Sequence, residues 1–210
     1  MVTIRGVSEP QAVAESVEEV VPGVWCWHVA DERIGGYISA AHAVRADDGV
    51  VLVDPLPLAG EALSGLGRAS AICLTTSSHQ RSAWRLRREL GVPVWAPAAS
   101  REVEEEPDER YSEGDSLPAG LRPIFTPGAG TTQHSLLLDR EGCVLFTPDL
   151  FVRPPGEPMA LIPAEYAHDP GQARQTAERL LDLDFAVLCT GHGAPVTADP
   201  KAAIRAALAG

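Results

Sequence analysis

The sequence has no apolar run approaching the ~18 residues that cross a bilayer, and its N-terminus has no signal-type apolar segment. A cytoplasmic protein without membrane contact is the expectation. It has no Cys-x-x-Cys pair. The four cysteines, Cys26, Cys73, Cys143 and Cys189, are widely spaced, and the last three sit in apolar runs, which reads as buried reduced thiol. Positive charge is scarce: 17 Lys and Arg stand against 29 Asp and Glu, for a net charge of −12. A nucleic-acid backbone or an anionic membrane is therefore not an expected partner. No motif recurs as an internal repeat.

What is present suits one globular domain. The 210 residues, 45% hydrophobic and 22% charged, suffice for a full core. Residues 1–15 carry little pattern and read as a loose N-terminal tail; 16–210 read as a single domain. Val20–Val29 reads as one strand with two bulky faces, and Arg33–Tyr37 as a turn. Ile38–Val44 and Val50–Val53 form a hairpin around Asp47–Gly49, ending at Asp54. Gly60–Gly67 carries weak helix signals. Ile72–Leu74, a helix to Leu90 and Val92–Ala96 make a strand–helix–strand unit, which implies parallel strands.

Arg101–Asp115 is acidic and reads either as a solvated surface stretch or as a lid over a pocket. Leu121–Phe125 is a strand. Ser135–Leu138 and Cys143–Phe146 form a hairpin around Asp139–Gly142. Pro154–Pro163 is a proline-rich loop. Asp169-Pro170 and Asp199-Pro200 each place Asp at an N-cap and Pro at the first helical position. Phe185–Cys189 is the last strand.

The most informative stretch is Ala71–Leu90, AICLTTSSHQRSAWRLRREL. An apolar run passes through a polar turn into a helix whose cap is Ser77 or Ser78. Chemistry commonly sits at such a turn in α/β proteins. The turn resembles the Thr-His-x-His-x-Asp-His signature of the metallo-β-lactamase fold superfamily, with Thr75 matching. Val50–Asp54 (VVLVD) resembles the family's Leu-Ile-Asp strand, and Val144–Asp149 (VLFTPD) its Leu-Phe-x-Gly-Asp. Tyr111–Gly130 looks like the stretch ahead of its Pro-Gly-His-Thr motif, and Leu188–Pro195 (LCTGHGAP) like its terminal Gly-His-Gly. The resemblance runs from about Val20 to Leu208. It implies an α/β fold: a four-layer αββα sandwich of two mixed β-sheets flanked by helices, with the site at one edge.

By that resemblance, the metal-holding positions of the two-metal members correspond here to Thr76, Ser78, Gln80, Arg81, Ala129, Asp149 and His192. Asp149 and His192 alone keep a metal-binding type. A catalytic zinc needs about three protein ligands and an open position for water. The usual two-metal hydrolase site therefore does not assemble, and no bound metal is expected. Asp54 is expected to support the site rather than bind metal.

The alternative is a relocated site for zinc or another divalent ion, with His79 or His134 joining Asp149 and His192. A one-residue offset at a helix start turns a side chain by roughly 100°, which argues against His79 as a simple replacement. Arg81 is expected to reach into the vacated space and pair with Asp149. The helix start near Ser77, Ser78 and His79 offers amides to a small anion.

Two readings follow. The first is a pseudoenzyme of this fold that binds a small anion or metabolite in the old pocket. The second is an active hydrolase of an ester, thioester, lactone or phosphate ester, using one relocated metal or none. Ligand identity and oligomeric state are not legible.

Overall fold

The computed structural model describes residues 9–140 and 143–210. The first half of the chain builds a seven-stranded sheet in sequence order. Its elements are β1 (Glu18–Val21), β2 (Val24–Asp31), β3 (Tyr37–Ala46), β4 (Gly49–Val53), α1 (Gly60–Gly65), β5 (Ala69–Cys73), α2 (Ala83–Leu90), β6 (Val94–Pro97) and β7 (Glu109–Tyr111). Pairings up to β4 are antiparallel and those beyond it are parallel. The apolar run expected as one strand is two, β1 and β2, because the chain reverses at Gly23, whose φ of 79° suits glycine.

The second half adds β8 (Leu121–Phe125), β9 (His134–Leu138), β10 (Val144–Thr147), β11 (Phe151–Val152), β12 (Ala160–Leu161), α3 (Pro170–Leu180), β13 (Val187–Thr190) and α4 (Pro200–Ala209). A four-stranded sheet runs β13-β10-β9-β8, mixed in direction, and β11 pairs with β12. Both expected caps hold: Asp169 accepts from the Gln172 amide and Asp199 from the Ala202 amide.

Period-two alternation sorts the core into layers. Leu52, Ile72, Trp84 and Leu86 pack between the first sheet and its helices. Val51, Val53, Leu136, Leu138, Phe146 and Cys189 fill the space between the sheets. Leu137, Leu145, Leu188, Ala177, Leu180 and Ile204 join the second sheet to α3 and α4. Three apolar seams in series make the four-layer αββα sandwich, and each fully buried Leu or Ile contributes roughly 1.5–3 kcal/mol to it.

Several expectations change. Residues 1–8 of the expected tail lie outside the described residues, but 9–15 pack on the domain. Ala14 is buried, bridges to Leu58 and hydrogen-bonds to Pro57 and Ala59 through its backbone. The acidic stretch contributes β7, and Arg87 and Arg88 pair with its Glu105 and Asp108, so it is part of the surface. The turn expected at Asp139–Gly142 falls partly outside the described residues. Cys26, Cys73 and Cys189 are buried, whereas Cys143 is half-buried. Among the described residues no helix is long and apolar enough to cross a membrane.

The helix after the polar turn also starts later than expected. Ser77–His79 forms a 3-10 turn, α2 begins at Ala83, and its cap residue Ser82 makes no side-chain cap hydrogen bond. Long-range contacts, not a local cap, hold this turn.

Candidate functional site

Asp54 follows β4 and Thr75 lies just past β5, a parallel neighbour. Asp149 follows β10 and His192 follows β13, also parallel neighbours. The C-terminal ends of four strands therefore converge at one edge of the sandwich, a common place for ligands in α/β proteins.

Asp54 adopts φ 48° and turns its carboxylate inward. It accepts hydrogen bonds from the Thr75 amide (2.8 Å), the Thr75 hydroxyl and His79 Nδ1 (2.8 Å). The other ring nitrogen, His79 Nε2, lies 2.8 Å from Asp149 Oδ1. His192 Nε2 lies 3.0 Å from that same oxygen, and the Ser78 hydroxyl donates to Asp149 Oδ2 at 3.1 Å. The two halves of the molecule are thus joined by an Asp54–His79–Asp149–His192 chain, buried at Asp54 and His79 and half-buried at Asp149 and His192.

Arg81 is 2% exposed and has φ 42°. Its Nη1 donates to the carbonyls of Ala40 (2.6 Å) and Asp54 (3.2 Å). Its Nη2 lies 3.3 Å from the Gly191 carbonyl and 3.1 Å from His79 Nε2. Two non-glycine residues with positive φ in one small cluster mark a locally strained backbone, as functional sites often have.

The charges follow from this geometry. Burial and the Arg81 charge press the His79 pKa down, but Asp149 and Asp54 outweigh them and raise it above the usual value. A carboxylate lies at each ring nitrogen, an arrangement that favours the protonated ring. Burial works to raise Asp149, yet the His79 charge and the two histidine hydrogen bonds hold it well below the usual carboxylate range. Burial lowers His192 despite Asp149. A neutral His192 that donates through Nε2 keeps Nδ1 as its acceptor. Burial also lowers Arg81, opposed by the Asp54 and Asp149 carboxylates.

The cluster floors a cleft of about 660 Å³. Ser78, His79, Arg81, Ala129, Asp149 and His192 line it, so these expected residues do come together. Asp54 lies behind His79 and supports it, as expected. The other expected pocket residues do not line the cleft. Thr76 bonds the Ser78 hydroxyl, and the Ser77 carbonyl accepts from Gln80. Gln80 is buried and turned away. Its amide donates to the Ser77 and Glu102 carbonyls, and its oxygen accepts from Trp84 Nε1 and the Glu104 amide. It is a staple between α2 and the acidic stretch. His134 bonds the Thr132 carbonyl and packs against Tyr111 and Phe125.

The rotation argument against His79 fails for a physical reason. It assumes a continuous α-helix, whereas the 3-10 turn and the positive φ at Arg81 let both His79 and Arg81 aim inward. Gly191 leaves room for the ring: a Cβ there would lie 2.7 Å from His79 Cε1. His79 Nε2 lies between the two groups expected to pair, 3.1 Å from Arg81 Nη2 and 2.8 Å from Asp149 Oδ1. Sequence reasoning missed the walls of the cleft. Arg33 and Tyr37 belong to what reads as a plain turn, and Leu161 and Ile162 to what reads as a proline-rich loop. A tyrosine beside a turn was the one available signal.

Three side chains could hold a metal ion. One ligand atom each from His79, Asp149 and His192 lie within 4.8 Å of one another, the number of protein ligands a single catalytic zinc takes and fewer than a two-metal site needs.

No curated protein sequence matches the chain. Among solved structures, a metallo-β-lactamase from Pontibacter korlensis superposes with TM-score 0.74 at 18% identity, covering 93% of this chain and 99% of that one. A metallo-β-lactamase from Erythrobacter litoralis gives TM-score 0.69 at 16% identity, covering 92% and 90%. At such identities the likeness shows the fold alone. The family model described as the metallo-beta-lactamase superfamily matches residues 18–208. With nearly the whole chain inside that match, the protein belongs to the metallo-β-lactamase superfamily.

Proposed function

We propose that this protein is not a two-metal hydrolase, and that it uses the family's cleft to bind a small molecule over a metal-free His–Asp–Arg cluster. The observation that carries this reading is Arg81. Its guanidinium is buried at the cleft floor, with Nη2 3.1 Å from the His79 nitrogen that a metal would need. A divalent ion on His79 Nε2 would sit against a fixed cation.

His79 and His192 approach Asp149 Oδ1 to 2.8 and 3.0 Å, hydrogen-bond lengths that hold the three side chains together. The neighbouring Gln80, at another metal position of the two-metal members, is spent on its staple. Without metal, the two carboxylates Asp54 and Asp149 are balanced by Arg81 and the His79 imidazolium.

In this reading Arg81 and His79 hold Asp149 in place. Asp149 in turn orients His192 and accepts from Ser78, so Ser78 Oγ and His192 Nδ1 are the polar groups that meet a ligand.

A second reading has one observation in its favour, the mutual proximity of His79, Asp149 and His192. It is a single-ion hydrolase acting on an ester, thioester, lactone or phosphate ester. Elemental analysis of protein purified without chelator, followed by zinc titration in a calorimeter, separates the two. The metal-free reading expects well under one ion per chain and no saturable zinc binding. One equivalent of zinc, iron or manganese, lost on changing His192 to Ala, would overturn it.

A further inference from the structure

Resting on the metal-free reading, we propose that the cleft takes an uncharged, mainly apolar aromatic molecule, gripped at its mouth by Tyr37 and Tyr166 and hydrogen-bonded at its floor by Ser78 and His192. Two independent features of the cleft lead to this class of ligand.

The first is where the exposed apolar surface lies. The large hydrophobic side chains exposed among the described residues are Val13, Ile34, Tyr37, Leu90 and Tyr166. Ile34, Tyr37 and Tyr166 all line this one cleft, with the tyrosines 62% and 70% exposed. They come from separate segments, the β2–β3 connection and the stretch before α3, so chain proximity does not explain the gathering. Behind them Ile38, Val152, Leu161 and Ile162 continue the apolar wall inward. Exposed tyrosines over an apolar cavity offer flat faces and large contact area to an aromatic ligand.

The second feature is charge. The lining holds three acids, Asp31, Asp149 and Glu157, and three arginines, Arg33, Arg81 and Arg153. Most of these charges already have partners within the protein. Arg33 grips Asp31 through two nitrogens, at 2.8 and 2.6 Å. Arg153 donates to the Ala194 and Pro195 carbonyls. Arg81 is held by carbonyls, and Asp149 by the two histidines and Ser78. An anionic ligand would meet guanidiniums whose charge is already shared with Asp31 or with backbone carbonyls, and would bring its own charge beside Asp149 at a desolvation cost. A cation would meet Arg81 and Arg153. An uncharged ligand meets neither penalty. Its polar end needs only a hydroxyl and a ring nitrogen, which the floor supplies.

A matched pair of fluorescent probes tests the proposal. N-phenyl-1-naphthylamine is uncharged, and 1-anilinonaphthalene-8-sulfonate has the same aryl skeleton with an added anion. Fluorescence titration of the full-length, chelator-treated protein should show saturable binding of the uncharged probe, at least ten-fold tighter than the sulfonate. The Tyr37→Ser/Tyr166→Ser variant alters only exposed side chains, and circular dichroism should show it folded. It should weaken the uncharged probe at least five-fold. No saturable binding of the uncharged probe, equal or tighter binding of the sulfonate, or indifference to the tyrosine changes would overturn the ligand class. The titrations are repeated with added zinc. Preference for the sulfonate that appears only with zinc would instead overturn the metal-free reading beneath it.

Discussion

The two halves of the cleft treat their inherited positions differently. The C-terminal half keeps Asp149 and His192 at strand ends, each still facing the cleft. The N-terminal half uses its turn differently. Gln80 is a buried staple with both ends of its amide satisfied, and Arg81 a buried cation at the floor. Adjacent residues in one turn thus take opposite roles, one withdrawn into packing and one kept at the site.

Removing that charge should have the largest effect. Arg81→Ala would take the guanidinium from the Ala40, Asp54 and Gly191 carbonyls, of which Gly191 keeps the Ala40 amide, and leave the Asp54–His79–Asp149 chain short of a cation. We expect a loss of about 3–5 kcal/mol, the usual cost of breaking a buried charged network, read from the urea midpoint at constant slope. A loss below about 1 kcal/mol would mean that the two halves do not depend on Arg81.

Acid should expose the N-terminal half next. His42 lies on β3, its ring edge against Phe146, and its Nε2 has no hydrogen-bond partner among the described residues. Burial, then the His28 charge, lowers its pKa to about 3. Unfolded, the same ring titrates near 6.5, so between about 6.5 and 3 the unfolded chain binds the extra proton. The contribution is therefore complete above pH 6.5 and is lost as pH falls, with a slope of up to about 1.4 kcal/mol per pH unit. Denaturation at pH 7, 6 and 5 should show the slope, and His42→Gln should flatten it. An unchanged slope would place the acid sensitivity elsewhere.

The Gln80 staple should show a smaller effect, with a sharper contrast. Gln80→Ala takes the amide-oxygen acceptor from Trp84 Nε1 and from the Glu104 amide, at about 1–3 kcal/mol. Because Gln80 does not line the cleft, binding of the uncharged probe should stay within about two-fold of the parent. A large loss of binding at unchanged stability would place Gln80 back in the site.

Much of the fold was legible because its signals are local. The Asp-Pro pairs at 169–170 and 199–200 mark helix starts that the structure keeps. Val50–Val53 is apolar throughout, the mark of a strand buried on both faces, and Leu52 and the pair Val51 and Val53 do pack into different seams. β7 was hidden because its Glu-Arg-Tyr carries only one buried side chain, Tyr111, whose hydroxyl bonds the Leu74 carbonyl. The break between β1 and β2 rests on a single positive φ at Gly23.

By itself, then, the sequence determined most of the strands and the two Asp-Pro helix starts, while the layered architecture and the place of the cleft came through the resemblance of its motifs to the metallo-β-lactamase fold. Helix caps, period-two alternation and motif spacing are properties of neighbouring residues, so they survive without coordinates. Tertiary structure alone decided where His79, Gln80 and Arg81 point. His79 is oriented by Asp54, 25 positions before it, and by Asp149, 70 positions after it. Arg81 is held by carbonyls 41 positions before it and 110 after it. Buried charge takes whichever direction supplies its partners, and those partners exist at one place only after both sheets have closed.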